Sequence, residues 1–198
     1  CVGRKTPKGL LKVAGRPLLY HQLSALRDAG IKKVTLVLGH LSEKFPNVFE
    51  GLEICQVINM GYLNSGGGYS FLLGSAGVAD DLIYLVSDIL YDVELIKRLV
   101  GRTTAITLGV QLRPTNQDDM KVNLSQDYVT DIGKDLDSGL TKGAFLGIAI
   151  IPRQELAQLR IGFQQGLDNS IAKTQHFGEL LKELIKEVGT DVSGKWMN

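Results

Sequence analysis

Residues 17–39 read PLLYHQLSALRDAGIKKVTLVLG and carry the signals of one helix and one buried strand. Leucines recur there at helical spacing, with Pro17 at the start and Gly30 after the end, so we expect a helix over 18–29. The apolar, β-branched run over 33–39 predicts a strand buried on both faces. A helix followed at once by such a strand is typical of α/β proteins.

The same alternation continues along the chain. Further strands are predicted over 52–58, 82–86, 105–111 and 145–151, and helices over 42–49, 69–78, 93–100, 153–160 and 177–188. Residues 121–124 and 128–132 are predicted to form a hairpin around a polar turn. We therefore predict an α/β fold with three layers (α/β/α): a doubly wound, mostly parallel sheet covered by helices on both faces, with an inserted antiparallel hairpin.

Composition favours one globular domain over 1–198. The chain is 44% hydrophobic and 22% charged, and its net charge of +1 argues against broad binding to nucleic acid or acidic membranes. Two cysteines are too few for a disulfide framework, and no apolar run approaches the ~18 residues of a transmembrane helix. We expect a cytoplasmic protein with neither nucleic acid nor membrane as partner. The start at Cys1 and the end at Asn198 are interpreted as truncations of a longer domain.

Two charged residues are candidates for binding and catalysis. Asp88 comes just after the predicted strand 82–86, following Ser87. The carboxyl ends of strands are where ligands bind in open α/β sheets. A carboxylate at such a position needs a charged partner, water or a metal. Mg²⁺ prefers one or two carboxylates plus substrate phosphates, so Asp88 is a candidate ligand, the alternative being a turn aspartate. Lys8, in TPKG (6–9), is a candidate phosphate-binding lysine or a solvated surface cation. Asp92 is predicted to cap the following helix.

A glycine-rich loop is the third candidate. Residues 59–70 read NMGYLNSGGGYS, and three consecutive glycines before a helix let the backbone approach a ligand closely. A flexible solvent loop is the alternative, because the segment is neither a P-loop nor G-x-G-x-x-G. Lys134 and Lys121 are further cations near the hairpin, each also compatible with a solvated side chain.

Other chemistries lack support in the sequence. The three histidines are scattered without metal-ligand spacing, and no G-x-S-x-G element is present. Cys55 lies within a predicted strand and is expected to be an inert core thiol.

The order of these motifs resembles a family. Residues 6–19, TPKGLLKVAGRPLL, are similar to the P-K-x-L-L-x-V-x-G-x-P-L segment of nucleotidyltransferases that activate sugar phosphates and related phosphates. The family's A-G-I, V-V-x-G-Y and strand-terminal G-D resemble AGI (29–31), VLGH (37–40) and VSD (86–88), with serine replacing glycine. The branch that acts on phosphocholine and inositol 1-phosphate with CTP is closer in MKV (120–122), IGK (132–134), LGI (146–148) and the loop 59–70.

The resemblance implies a Rossmann-like fold of the nucleotide-diphospho-sugar transferase type and a reaction. The phosphate of an acceptor attacks the α-phosphorus of a nucleoside triphosphate, and pyrophosphate leaves. By analogy Lys8 would bind the nucleotide phosphates, Asp88 would hold Mg²⁺, and Lys134, with Lys121 as a weaker candidate, would bind the acceptor phosphate. The loop residues Asn64, Gly66, Gly67 and Gly68 would line the nucleotide pocket.

Departures from the family pattern keep alternatives open. The family's first strand and G-x-G-x-R loop would precede Cys1, and the second metal-ligand aspartate of its W-x-E-I-D motif would follow Asn198. Ala144 stands where relatives often carry a glutamate that contacts the acceptor. Ser87 and Ala144 favour a non-catalytic regulatory subunit, whereas Lys8 and Asp88 oppose it. A hexose 1-phosphate acceptor, a nucleotide-sugar glycosyltransferase and a homodimer also stay open.

Overall fold

The computed structural model describes residues 6–100, 104–168, 174–188 and 192–197. The chain forms two compact units, of which the first contains Cys1–Leu63 and Val86–Gly101 and the second contains Asn64–Leu85 and Arg102–Asn198. The prediction of a single domain over 1–198 stays a prediction.

The helices and strands follow in chain order. The helices are α1 (Leu18–Asp28), α2 (Gly67–Ser75), α3 (Val93–Leu99), α4 (Arg153–Asp168) and α5 (Phe177–Val188). The strands are β1 (Lys12–Val13), β2 (Arg16–Pro17), β3 (Lys33–Leu38), β4 (Glu53–Ile58), β5 (Leu82–Leu85), β6 (Ile106–Leu112), β7 (Lys121–Ser125), β8 (Tyr128–Gly133), β9 (Gly143–Ile151) and β10 (Val192–Met197).

The first unit packs α1 beside a parallel pair of strands. β3 and β4 pair in parallel register from Lys33 opposite Glu53 to Leu38 opposite Ile58. Leu19 and Leu23 of α1 share a buried cluster with leucines of β3, because the apolar stripe of the helix faces these strands. α3 also contacts α1. The unit thus places two segments near α1: the short turn before β1 and the turn before α3.

The second unit is a six-stranded mixed sheet in the order β5-β9-β6-β10-β8-β7. Its core contains an aromatic cluster in which Phe71 of α2, Phe163 of α4 and Phe177 of α5 meet edge to face, and Tyr84 of β5 stacks on Phe177 at 4.2 Å between ring centroids. Large buried aromatic surfaces of this kind dominate the energetics of a core, so these rings hold the three helices together.

The predicted α/β class and the hairpin β7–β8 are confirmed. The sheet was predicted to be mostly parallel. Among the described strands, parallel pairing occurs only between β3 and β4 and between β6 and β10. The reason is β9, which runs antiparallel between β5 and β6.

None of the helices in the described ranges is long and apolar enough to cross a membrane.

Two local expectations are corrected. The helix predicted over 42–49 is only a 3₁₀ turn at Ser42–Lys44, because Phe45, which precedes Pro46, adopts the extended conformation that a following proline favours. Cys55 is exposed and is not a core thiol. Side chains alternate along a strand, and Cys55 shares the exposed face of β4 with Glu53.

Candidate active site

Lys8 and Asp88, the two strongest candidates from the sequence, lie together in the first unit. The Lys8 Nζ is 3.6 Å from Oδ2 of Asp88, although 80 positions of sequence separate the two residues. Their side chains are 75% and 51% exposed, so both remain open to a ligand. An exposed ion pair of this kind contributes only about 0–1 kcal/mol to stability. A ligand that binds either charge more strongly can therefore separate the two side chains.

A short 3₁₀ turn presents Lys8. Leu10 N donates to Pro7 O and Leu11 N donates to Lys8 O, both at 3.0 Å, which fixes the turn at Lys8–Leu10. Gly9 is buried, and a Cβ there would lie 3.4 Å from the ring of Phe45. The glycine therefore lets the turn lie close to the core while Lys8 points outward.

The Asp88 turn is fixed from both sides. Towards the end of the turn, the Asp92 side chain accepts a hydrogen bond from Glu94 N at 2.7 Å and caps α3, as predicted. Beneath the turn, the Gln22 Nε2 donates to Val86 O at 2.9 Å and to Ile89 O at 2.6 Å. Gln22 is a residue that the sequence reasoning missed, and its signal was a polar residue on the apolar face of α1.

The donor set at this turn fits a magnesium ion that shares its coordination with substrate. Among the described residues, no three His, Cys, Asp or Glu side chains are grouped closely enough to hold a metal ion by themselves. An exposed single carboxylate such as Asp88 is what Mg²⁺ uses when substrate phosphates and water complete its shell.

The second unit holds the two candidate lysines of the acceptor site. Lys134 is exposed directly after β8, as a phosphate-binding residue must be. Lys121 is only 2% exposed, and its Nζ donates to the Lys134 carbonyl at 2.5 Å. The structure therefore brings the two residues together but closes Lys121 off from solvent. Lys121 holds the backbone at Lys134 and is not open to a substrate.

Ala144 lies in register opposite Lys121, between β7 and β9, and is 2% exposed. A glutamate at that position would lie beside Lys121. With alanine there, the Lys121 ammonium group donates to the Lys134 carbonyl and also attracts the Asp119 carboxylate.

The glycine-rich loop has a packing role in this structure. A Cβ on Gly66 would overlap the carbonyl oxygens of Thr174 and Gln175, and Gly68 N donates to the Gln175 carbonyl at 3.2 Å. Gly66 thus admits the backbone of another segment of the second unit, and Gly68 admits the side chain of Leu180. A Cβ on Gly67 would meet the Tyr84 hydroxyl at 3.6 Å, which is an ordinary contact distance, so this glycine is not required by packing. Asn64, two residues before Gly66, is exposed.

The loop between β6 and β7 is closed by a bidentate ion pair. Both Arg113 terminal nitrogens bond the Asp119 carboxylate, at 2.7 and 2.6 Å, and Asn116 N donates to the same group at 2.8 Å. The hydrogen bonds from Arg113 hold the pKa of Asp119 below its ordinary value, against the opposing effect of burial. The carboxylate is therefore ionised at neutral pH and orders the chain that leads into Lys121.

Comparisons with known proteins agree with the family resemblance. The family model of the MobA-like NTP transferase domain matches residues 2–121. A CMP-5'-(3-aminopropyl)phosphonate synthase from Streptomyces rubellomurinus is 30% identical over 116 residues, covering 56% of this chain and 18% of the relative. A bifunctional IPC transferase and DIPP synthase from Aquifex aeolicus is 28% identical over 146 residues, covering 72% of this chain and 34% of the relative. The chain therefore spans about a third or less of these relatives' lengths.

Solved structures match nearly the whole chain. The inositol-1-phosphate CTP transferase from T. maritima has a TM-score of 0.79 at 20% identity, over 98% of this chain and 78% of that chain. The UDP-glucose pyrophosphorylase from Acinetobacter baumanii has a TM-score of 0.74 at 18% identity, over 99% and 82%. At these identities the likeness concerns the fold.

Proposed function

Because this chain belongs to the family of MobA-like NTP transferase domains, we propose that it transfers the nucleoside monophosphate of CTP to a small phosphorylated acceptor and releases pyrophosphate. Phosphocholine, inositol 1-phosphate and sugar 1-phosphates are the acceptors we consider. One oxygen of the acceptor phosphate forms a bond to the α-phosphorus, and the bond from that phosphorus to the pyrophosphate oxygen breaks. The acceptor oxygen is already anionic, so the reaction needs no general base.

The pairing of Lys8 with Asp88 is the observation that carries the proposal. A cation and a carboxylate held 3.6 Å apart on two different segments, both exposed, form a site that is complementary to a metal-bound polyphosphate. When the triphosphate binds, Lys8 exchanges the Asp88 carboxylate for phosphate oxygens. Asp88 is then free to bind a cation in place of the lysine ammonium group.

The residues of the chain act mainly by binding and orienting charged groups. Lys8 binds phosphate oxygens of the nucleotide and stabilises the negative charge that passes to the leaving pyrophosphate. Asp88 would hold Mg²⁺, which as a Lewis acid stabilises charge on the α-phosphoryl group. Lys134 binds the acceptor phosphate, and Lys121 sets the backbone from which Lys134 extends.

The choice of CTP rests on the motifs and on relatives. The name of the Streptomyces relative states a CMP-linked product, and the motifs MKV (120–122) and IGK (132–134) resemble the cytidylyltransferase branch. Asn64, which is exposed, and Gly67, which is not tightly packed, are the loop residues that we assign to the nucleotide, because Gly66 and Gly68 pack against the chain itself. Size-exclusion chromatography with light scattering would test whether the protein is a homodimer.

Two alternatives keep the same fold. A hexose 1-phosphate nucleotidylyltransferase is supported by the likeness to the UDP-glucose pyrophosphorylase structure. A non-catalytic regulatory subunit is supported by Ala144, which stands where the family pattern that the sequence resembles often has a glutamate.

Pyrophosphate release tests the proposal. CTP, UTP, GTP and dTTP are each combined with phosphocholine, inositol 1-phosphate or glucose 1-phosphate in the presence of Mg²⁺. We expect release with CTP and one acceptor. Release only with UTP or dTTP and glucose 1-phosphate would select the hexose alternative. Triphosphate binding without release would leave the regulatory subunit and an acceptor outside this panel.

A further inference from the structure

We propose that Gln22 is a positioning residue that fixes the turn carrying Asp88, and through that turn the carboxylate that binds the metal. This inference rests on the proposed function, because it concerns the accuracy of that same site. Gln22 touches no substrate and no reacting atom.

The geometry of the contact is specific to this turn. The Gln22 Nε2 donates at 2.9 Å to Val86 O and at 2.6 Å to Ile89 O. These carbonyls flank Ser87 and Asp88 on either side, so one amide group uses both of its hydrogens to fix the two ends of the turn.

Burial makes the contact obligatory. Gln22 is 5% exposed and lies on the apolar face of α1 with Leu19, Leu23 and Leu26, whereas Ser87 and Asp88 above it are exposed. A buried amide is costly unless it is hydrogen-bonded. Because β5 ends at Leu85, Val86 and Ile89 lie beyond the strand ladder. Helix α1 therefore provides, through the Gln22 side chain, hydrogen bonds to two carbonyls that lie beyond the paired residues of β5.

The expected consequence is a less accurate metal site when the amide is lost. Partners that orient a metal ligand typically change metal affinity by about 10- to 100-fold when they are removed. Replacing Gln22 should therefore weaken the contribution of the metal to nucleotide binding, and it should do so without changing the charge of the site.

A matched control exists in the same unit. The Gln56 Nε2 also donates to two successive carbonyls, those of Phe45 at 3.5 Å and Pro46 at 2.9 Å. Its loss removes the same type of contact from a segment that does not carry Asp88. Gln22→Met and Gln56→Met thus compare two similar losses of hydrogen bonding with different predicted effects.

The test measures CTP binding by calorimetry, with no acceptor present, once without metal and once with Mn²⁺. The readout is the Kd for CTP without metal divided by the Kd for CTP with Mn²⁺. This ratio isolates the contribution of the metal from that of the phosphate contacts. We expect Gln22→Met to lower this ratio about tenfold, and Gln56→Met to leave it at the wild-type value. Hydrogen exchange of residues 86–90 should become faster in Gln22→Met only.

The outcomes separate this inference from the proposed function. A wild-type protein whose CTP binding gains nothing from Mn²⁺ refutes the metal site of the proposed function, and the positioning role with it. A clear wild-type gain that Gln22→Met retains refutes only the positioning role. If Gln22→Met does not fold, Gln22→Asn keeps the amide but is one methylene shorter, and it should lower the ratio in the same direction. A wild-type ratio in that variant would likewise overturn the inference.

Discussion

Substituting Gly66 by alanine tests what the glycine-rich loop does. A Cβ at Gly66 would overlap the carbonyl oxygens of Thr174 and Gln175, which are backbone atoms and cannot turn aside as a flexible side chain would. The nearby hydrogen bond from Gly68 N to the Gln175 carbonyl would be displaced by the same movement. Gly66→Ala should therefore destabilise the protein in the absence of any nucleotide.

The expected cost follows from two contributions. Forcing an extra methyl group into a packed site typically costs about 1–3 kcal/mol. A weakened backbone hydrogen bond adds about 0.5–1.5 kcal/mol. Together they give about 2–4 kcal/mol, which for a urea m value of about 2 kcal/mol/M lowers the unfolding midpoint by about 1–2 M.

Gly67→Ala is the matched control for this substitution. Its Cβ meets ordinary contact distance, with the Tyr84 hydroxyl at 3.6 Å, and the residue begins α2. Because alanine loses less backbone entropy than glycine on folding, the expected change is between zero and about 1 kcal/mol of added stability. Urea unfolding followed by far-UV circular dichroism compares both variants with the wild type. An unchanged midpoint for Gly66→Ala, combined with weakened CTP binding, would refute the packing role and return Gly66 to the nucleotide pocket.

Two further predictions concern charged residues. Lys8→Ala should weaken binding of the triphosphate more than binding of cytidine, as measured by calorimetry, because Lys8 serves the phosphates; equal losses would point to a folding defect. Asp119→Asn should cost about 1 kcal/mol at pH 7, since Arg113 loses a charged acceptor. Arg113 holds the pKa of Asp119 below its unfolded value, so the carboxylate stabilises the fold above the unfolded pKa and loses this effect as pH falls through the folded one. Thermal unfolding of the wild type between pH 7 and 2 should therefore converge on that of Asp119→Asn, and parallel curves would contradict the assignment.

Strongly periodic segments and the paired residues of the first unit were predictable. The stripe of leucines in α1 gave its bounds to within one residue, and the apolar runs correctly predicted the strands β3 and β5. The predicted full burial of these strands was wrong, because Lys33 and Thr35 of β3 are exposed and β5 is only half-buried. Lys8 and Asp88 followed from a motif and from a strand end, and the structure places them in contact. Each of these signals is local, so a single sequence carries it.

Other features depend on contacts that are distant in sequence. β10 contains Gly194 and polar residues and has little strand propensity of its own; it forms because it pairs in parallel with β6. α4 was predicted to end near residue 160 but continues to Asp168. Gly162 and Gly166 weaken a helix locally, yet here they admit Leu184 and Leu180 of α5 against their backbone.

The role of Gln22 could not be predicted from the periodicity of the sequence, because it too depends on contacts that are distant in sequence. A glutamine within an apolar stripe can be noticed in the sequence, but its partners, the carbonyls of Val86 and Ile89, are more than 60 residues away. The Gly66–Gly68 loop is the converse case. Its glycines suggested a ligand, whereas Gly66 is explained by the backbone at residues 174–175 and Gly68 by the side chain of Leu180.

Pyrophosphate release by wild type, Asp88→Asn and Asp92→Asn, with CTP, Mg²⁺ and the acceptor that the wild type uses, tests the central claim most directly. Both variants remove one carboxylate charge from the same segment, but asparagine keeps the helix cap at residue 92. We predict that Asp88→Asn lowers kcat/KM at least about a hundredfold while its Tm stays near the wild-type value, and that Asp92→Asn retains activity. Equal activity of Asp88→Asn and wild type, at equal stability, would contradict the assignment of Asp88 to the reaction.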